Sequence, residues 1–229
     1  PELVKHHQVI VPDLPGHGES DASSVELDVG RALNWLGELI ERCCTSPPQV
    51  VGQVLGGAMA ARFAARNGGR ISRLALCDTF GFEPFEPQPA FAQAMQAFFT
   101  KPSPQTHDTL WGQCALDSGA LRKQMGTVWE DFEAYNVDRA STPAVLSAVL
   151  TLVKHFGVPI PPEELEQIHV PTALIWGRGD RATNVKVAEE ASARYGWPLF
   201  IIDNAADDPP IEQPQAFVQA LRRAFGERP

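Results

Sequence analysis

The 229-residue chain contains no run of about 18 apolar residues, so no segment of it reads as a bilayer-spanning helix. Clustered positive charge is also missing. A net charge of −9 argues against nucleic acid or an anionic membrane as partner, since both recruit basic patches. The four cysteines, Cys43, Cys44, Cys77 and Cys114, lack metal-ligand spacing. Cys77 lies in an apolar run and reads as a small buried hydrophobe, and adjacent Cys43 and Cys44 are poorly placed to bridge each other. A reducing, cytoplasmic location is therefore expected. An initiator methionine and a signal-peptide pattern are both missing, and the opening "PELVKHHQVIVPDL" reads as the interior of a longer sequence.

What is present is an ordinary globular composition, 44% hydrophobic and 21% charged, which can build a sizeable core. Short β-branched runs alternate with helical patterns, predicting a mostly parallel sheet flanked by crossover helices. Strands are expected near 7–14, 47–54, 71–79, 171–178 and 198–204. A helix over roughly 26–44 carries Val29, Leu33, Leu36 and Ile40 on one face. An Ala- and Gly-rich helix follows over roughly 56–67. A terminal helix places Pro214 in its first turn and Phe217, Leu221 and Phe225 on one side. The stretch 82–168, richer in Gln, Pro and aromatics, interrupts this alternation and is expected to form a helical insertion. The organisation is thus a core of 1–81 and 169–229 with a cap of 82–168.

Four ordered stretches carry a resemblance. "DLPGHGES" (13–20), "VVGQVLGG" (50–57), "PTALIWGRGD" (171–180) and "IIDNAADDPPIEQPQAF" (201–217) together resemble landmarks of the α/β-hydrolase family, in particular its capped esterases and C–C hydrolases. The resemblance covers nearly the whole chain and implies the α/β-hydrolase fold. It places Val54 at the nucleophile position of a tight strand-to-helix elbow, with Gly52 and Gly56 as its small flanking residues. It places Asp180 at the acid position, Asp207 at the base position, and the Leu55 N–H as an oxyanion donor. It also implies strands ahead of residue 1, including one between those matching 7–14 and 47–54. Those two segments should therefore stand about 10 Å apart instead of pairing.

Two of the three catalytic groups are replaced. Valine has no lone pair with which to attack a substrate, and no histidine occurs beyond His169. The chain is thus expected to be a degenerate relative that binds a small apolar or acyl/carbonyl ligand under its cap, as a monomer or homodimer. Gln53, Val54, Trp111, Trp129 and His155 are the candidate ligand-binding residues. The alternatives are an enzyme using the Asp180/Asp207 pair with the Leu55 amide, or a non-catalytic interaction protein. Neither a metal nor a cofactor is expected, because Asp180, Asp207 and Asp208 form a carboxylate group without other ligands. His17 reads as part of a structural turn, Phe82 as cap core and Asp78 as a turn or helix cap.

Overall fold

The computed structural model describes residues 2–21 and 27–227. Four strands, β1 (Gln49–Gln53), β2 (Arg73–Cys77), β3 (Thr172–Gly177) and β4 (Leu199–Ile202), form one sheet in the order β1-β2-β3-β4. All three pairings are parallel, with Val50 opposite Leu74, Leu76 opposite Leu174, and Ile175 opposite Phe200. The helices α1 (Val29–Cys43) and α2 (Val54–Asn67) flank β1. Between β2 and β3 come α3 (Pro89–Thr100), α4 (Pro104–Cys114), α5 (Ser118–Met125), α6 (Val128–Ala140), α7 (Pro143–Phe156) and α8 (Pro162–Leu165), with no strand among them. The chain closes with α9 (Val185–Tyr195), α10 (Pro209–Glu212) and α11 (Pro214–Ala224).

Alternation along the strands builds a core on each side of the sheet. Leu74, Leu76, Leu174 and Trp176 face one side, packing with Met59, Phe63, Ala188 and Trp197. Ala75, Cys77 and Ile175 face the other, packing with Phe217, Ala220 and Leu221 of α11. Burial raises the Cys77 thiol well above its ordinary value, and the Asp78 charge adds to the rise, so this cysteine is an inert packing group. Helix α2 is buried continuously from Gly57 to Ala64 because its small residues let it lie close to the strands. At its outer side Arg62 pairs with Glu164 of α8 at 3.0 Å, and Arg66 pairs with the same carboxylate at 2.9 Å.

The segment 7–14 departs from expectation. It is extended in neither ladder nor sheet, and Val9, Ile10 and Val11 are exposed. A β-branched run is compatible with a strand, but a strand exists only where another backbone completes its hydrogen bonds. Among the described residues β1 is paired on one side alone, and Val51 on it is 44% exposed. The expected absence of direct pairing between 7–14 and β1 is observed, although 7–14 is not itself a strand. The helix expected over 26–44 is described from Val29, where Asp28 caps it by accepting from Arg31 N; its expected start at 26 lies outside the described residues. In the turn of 13–20, His17 Nδ1 lies 3.1 Å from the Pro15 carbonyl and the His17 N–H donates to Leu14, a structural role.

The passage from β1 to α2 is governed by two close approaches. A Cβ on Gly52 would lie 2.6 Å from the Gly56 carbonyl oxygen and 2.7 Å from Gly57 Cα. One on Gly57 would lie 2.0 Å from Thr79 Oγ1, whereas one on Gly56 would meet nothing within 4 Å. The second small residue required by the turn is therefore Gly57, not Gly56. Gly52→Ala should cost about 1–3 kcal/mol through overpacking against backbone. Gly56→Ala should be neutral or stabilise by about 0.5–1 kcal/mol, as replacing glycine within a helix does. Urea unfolding of the two variants checks this, and equal losses would contradict it.

Candidate functional site

The carboxyl ends of β1, β2, β3 and β4 converge on one buried polar region. At the end of β1 the chain turns straight into α2, with Gln53 extended and Val54 at φ 49°. A β-branched residue in the left-handed region is strained by about 1–3 kcal/mol. The segment just past β2 holds the turn in place, since Phe80 N donates to the Val54 carbonyl at 3.3 Å and Thr79 Oγ1 to the same oxygen at 3.1 Å. Val54 itself is half-buried against the main core. As the second residue of α2, Leu55 carries an N–H with no helical carbonyl to meet it. The elbow therefore offers an amide donor beside a side chain that cannot act as a nucleophile.

The ends of the other three strands each supply carboxyl groups. Asp78, just past β2, also adopts a positive φ of 41° and is 1% exposed. Its Oδ1 accepts from Gly177 N at 2.8 Å, bolting the end of β2 to the end of β3, while its Oδ2 has no donor. Asp78 is thus a strand-to-strand tie and not the turn or helix cap expected. Asp180, past β3, accepts from Ala182 N and Thr183 N, each at 2.7 Å, through Oδ1. Its Oδ2 has no donor among these amides, and the Asp207 carboxyl and the Thr183 hydroxyl both act on the Asp180 charge. Asp207, past β4, also accepts from Arg181 N at 3.1 Å. Two carboxyl groups can share a hydrogen bond only when one carries a proton.

Burial explains where that proton sits. Desolvation, then the Asp180 charge, pushes Asp207 up to about 9. Asp180 is raised by burial, with its hydrogen bonds to Asp207 and to the Thr183 and Ala182 amides opposing the rise. Asp78 is raised well above the carboxylate range by burial and by Asp180. At neutral pH Asp207 is a neutral acid donating to Asp180, which is the reverse of an imidazole awaiting a proton. Asp208 is pushed up to about 6 by burial, against the hydrogen bond from Gln53.

Gln53 links this cluster to the elbow, donating through Nε2 to Asp208 Oδ1 at 2.9 Å and to the Asp207 carbonyl at 3.2 Å. Its amide is committed to the loop after β4. Over the cluster lies residues 112–116, held by Arg181 Nη1 through the carbonyls of Gly112, Gln113 and Ala115 at 2.7–3.3 Å. Asp207 N donates to the Cys114 carbonyl at 3.0 Å, and Leu116 N to Glu212 Oε2 at 2.7 Å. Burial and the surrounding aspartates raise the Cys114 thiol far above its usual value. Sequence reasoning missed the Arg181 clamp and the Glu212 acceptor, because both work through backbone groups that carry no residue signature.

The remaining expected ligand residues lie elsewhere. Trp111 and Trp129 pack edge-to-face at 5.9 Å inside a closed cluster of the inserted helices with Leu121, Phe132 and Ile211. Both are at most 8% exposed and line no open surface. Phe82 packs on Trp176 and Trp197 beside the sheet. His155 is half-buried in the last turn of α7 and takes no part in the hydrogen bonds around the elbow. A cavity of about 440 Å³ opens at the amino ends of β2 and β3, beside Ala64, Ile71, His169 and Pro171, and does not touch Val54.

Two outcomes follow from this geometry. Asp207 keeps its proton to about pH 9 when folded but loses it near 4 when unfolded, so proton binding favours the folded state. That contribution is complete below about pH 4 and is lost as pH rises through about 9. Asn at 207 can donate to Asp180 and accept from Arg181 without titrating. Asp207→Asn should therefore lose less stability between pH 5 and 9, ending about 2–4 °C higher in Tm at the alkaline end; parallel Tm–pH curves would refute the shared proton. Val54→Gly should raise unfolding stability by about 1 kcal/mol, the strain relieved less the entropy of glycine, as measured by chemical denaturation.

The chain matches the model of the alpha/beta hydrolase family over residues 1–220. A pimeloyl-(acyl-carrier protein) methyl ester esterase of Neisseria meningitidis is 26% identical over 236 residues, covering 99% of this chain and 85% of the relative. The magnesium-chelatase 30 kDa subunit of Rhodobacter capsulatus is 28% identical over 199 residues, covering 84% and 68%. Among solved structures, a 2-hydroxy-6-oxo-6-phenylhexa-2,4-dienoate hydrolase from Rhodococcus superposes with a TM-score of 0.80 at 19% identity, covering 94% of this chain and 78% of that one. A thermophilic esterase from Thermogutta terrifontis gives 0.76 at 25% identity, covering 98% and 82%. With the parallel sheet, the strained elbow and a family match over almost its whole length, this chain belongs to the alpha/beta hydrolase family.

Proposed function

We propose that this chain is a nucleophile- and base-less member of its family that retains the elbow as a binding element for a small apolar or acyl/carbonyl ligand. The observation that carries this reading is Val54. It occupies the strained position at the start of α2 at φ 49°, where a nucleophile would be presented, and supplies only a methyl surface. The Leu55 amide remains to polarise a carbonyl oxygen. The inserted helices α3–α8 act as a cap, and Arg181 holds residues 112–116 of that cap against the core. The names of relatives, an esterase and a dienoate hydrolase, support a ligand that carries a carbonyl group. The protein works in the cytoplasm as a monomer or homodimer.

A second reading has one observation in its favour. The Asp207 carboxyl donates to Asp180, so a neutral acid and a carboxylate stand together, the pairing that general acid–base chemistry uses. In that case the chain is a hydrolase or lyase working through this pair and the Leu55 amide. The third reading, a non-catalytic interaction protein, predicts no small-molecule binding.

Hydrolysis of p-nitrophenyl esters separates these readings. The unmodified chain should match buffer, and a fluorophosphonate probe should leave residue 54 unlabelled. Val54→Ser alone should give little turnover, because a hydroxyl needs a base and Asp207 is protonated at neutral pH. Val54→Ser with Asp207→His should exceed the combined effect of the single changes, since triad members act as a unit. Robust hydrolysis by the rigorously purified unmodified chain would overturn the first reading and favour the second.

A further inference from the structure

The inserted helices contain a polar cluster that the elbow and its acids do not use. His107, in the first turn of α4, is fully buried and ringed by Phe98, Trp111, Trp129 and Phe132, with ring centroids 5.7–6.1 Å away. Its Nε2 lies 3.1 Å from the Asn136 side-chain amide on α6. Its Nδ1 has no hydrogen-bond partner, and Glu133 Oε2, also from α6, stands 3.9 Å from it. Asp108 follows His107 on α4. One ligand atom from each of His107, Asp108 and Glu133 falls within 4.8 Å of the other two. Arg122, from the last turn of α5, hydrogen-bonds to Asp108 and approaches Glu133 Oε2 at 3.5 Å, with its guanidinium over the Trp129 ring.

We propose that His107, Asp108 and Glu133 form a site for a divalent transition-metal ion of the zinc type, which exchanges with the Arg122 guanidinium. Two carboxylates already gathered around one cation set the charge of the site. Arg122 satisfies those carboxylates, yet it leaves a buried imidazole nitrogen without a partner, which is costly. An ion at the centre satisfies all three groups at once. Tetrahedral zinc with ligand distances near 2.0–2.2 Å needs ligand atoms about 3.4 Å apart, a contraction that the Asp108 and Glu133 side chains can make by rotation. One imidazole with two carboxylates suits zinc or cobalt better than calcium or magnesium, which prefer oxygen alone. Ligation requires the neutral ring. Asn136 serves as the outer partner: its Nδ2 faces Nε2 in this structure, and on ligation a flip of the amide would let its oxygen accept the ring N–H, leaving Nδ1 as the ligand.

The test is zinc titration by calorimetry on the chelator-stripped full chain, with the visible spectrum of added cobalt as a second readout. Arg122→Ala removes the competing cation and should tighten zinc binding about tenfold over the unmodified chain. His107→Phe, which keeps a ring in the aromatic cluster, should reverse that gain by at least about tenfold when added to Arg122→Ala, and should abolish the cobalt bands. His6, His7, Cys43 and Cys44 can take up zinc loosely, so the comparison between Arg122→Ala and the double variant is the decisive one. If the double variant fails to fold by circular dichroism, Glu133→Gln in the Arg122→Ala background takes its place with the same expected loss. Equal zinc affinity with and without His107 or Glu133, or no tightening in Arg122→Ala, would overturn the proposal.

Discussion

With Asp78, Asp180, Asp207 and Asp208 gathered at the carboxyl ends of the strands, the loops can close only if part of that negative charge is neutralised. The proton shared by Asp207 and Asp180 provides this, and backbone amides of Gly177, Arg181, Ala182 and Thr183 donate to one oxygen each of Asp78, Asp207 and Asp180, leaving Asp78 Oδ2 without a donor. The same loops carry the Arg181 side chain that fastens residues 112–116, and Glu212, which accepts from Ala206, Asp208 and Leu116. The seating of the inserted helices on the sheet therefore runs through the loops that carry these acids. A site organised in this way resists deprotonation of its central acid, whereas a hydrolytic triad needs a base that gains and loses a proton in each cycle.

The elbow shows a backbone conformation that its own side chain does not explain. Nothing about valine favours φ 49°, and a β-branched residue is among the least suited to it. The conformation is imposed from outside, by the absence of Cβ atoms at Gly52 and Gly57 and by the two donors that Thr79 and Phe80 aim at the Val54 carbonyl. Because the surroundings over-determine the turn, its geometry does not depend on the chemistry of residue 54.

These contrasts also explain how much could be read from the sequence. The strands near 73–77 and 172–177 were legible because residues buried on both faces leave apolar runs, whereas 49–53, polar at both ends and half open, was legible by its place before the glycine-bounded turn. The run at 7–14 looks the same, but strand formation is decided by a partner backbone that residue patterns do not name. The sequence pattern points to Gly56 as the second crowded position, whereas the contact that makes it Gly57 comes from Thr79, more than twenty residues away. Trp111 and Trp129 were readable as apolar, yet their enclosure in a separate cluster depends on how α4, α5 and α6 pack. His107 escaped notice for a related reason. Its polar neighbours come from three helices and share no spacing, and the only sequence trace is a His-Asp pair beside Thr106, whose side chain completes a capping box with Ser103.

The two margins of the sheet differ in a way that bears on how the polypeptide behaves at high concentration. The β4 margin is guarded, with Arg223 lying over Phe200 and Arg178 paired to Asp203. The β1 margin carries Gln49 and an exposed Val51, with Val9, Ile10 and Val11 also open to solvent. A margin flanked by aliphatic side chains is where a further strand, from another segment or another molecule, would add through main-chain hydrogen bonds. The repulsion among molecules of net charge −9 opposes lateral accretion there, and salt, by screening that repulsion, weakens the opposition.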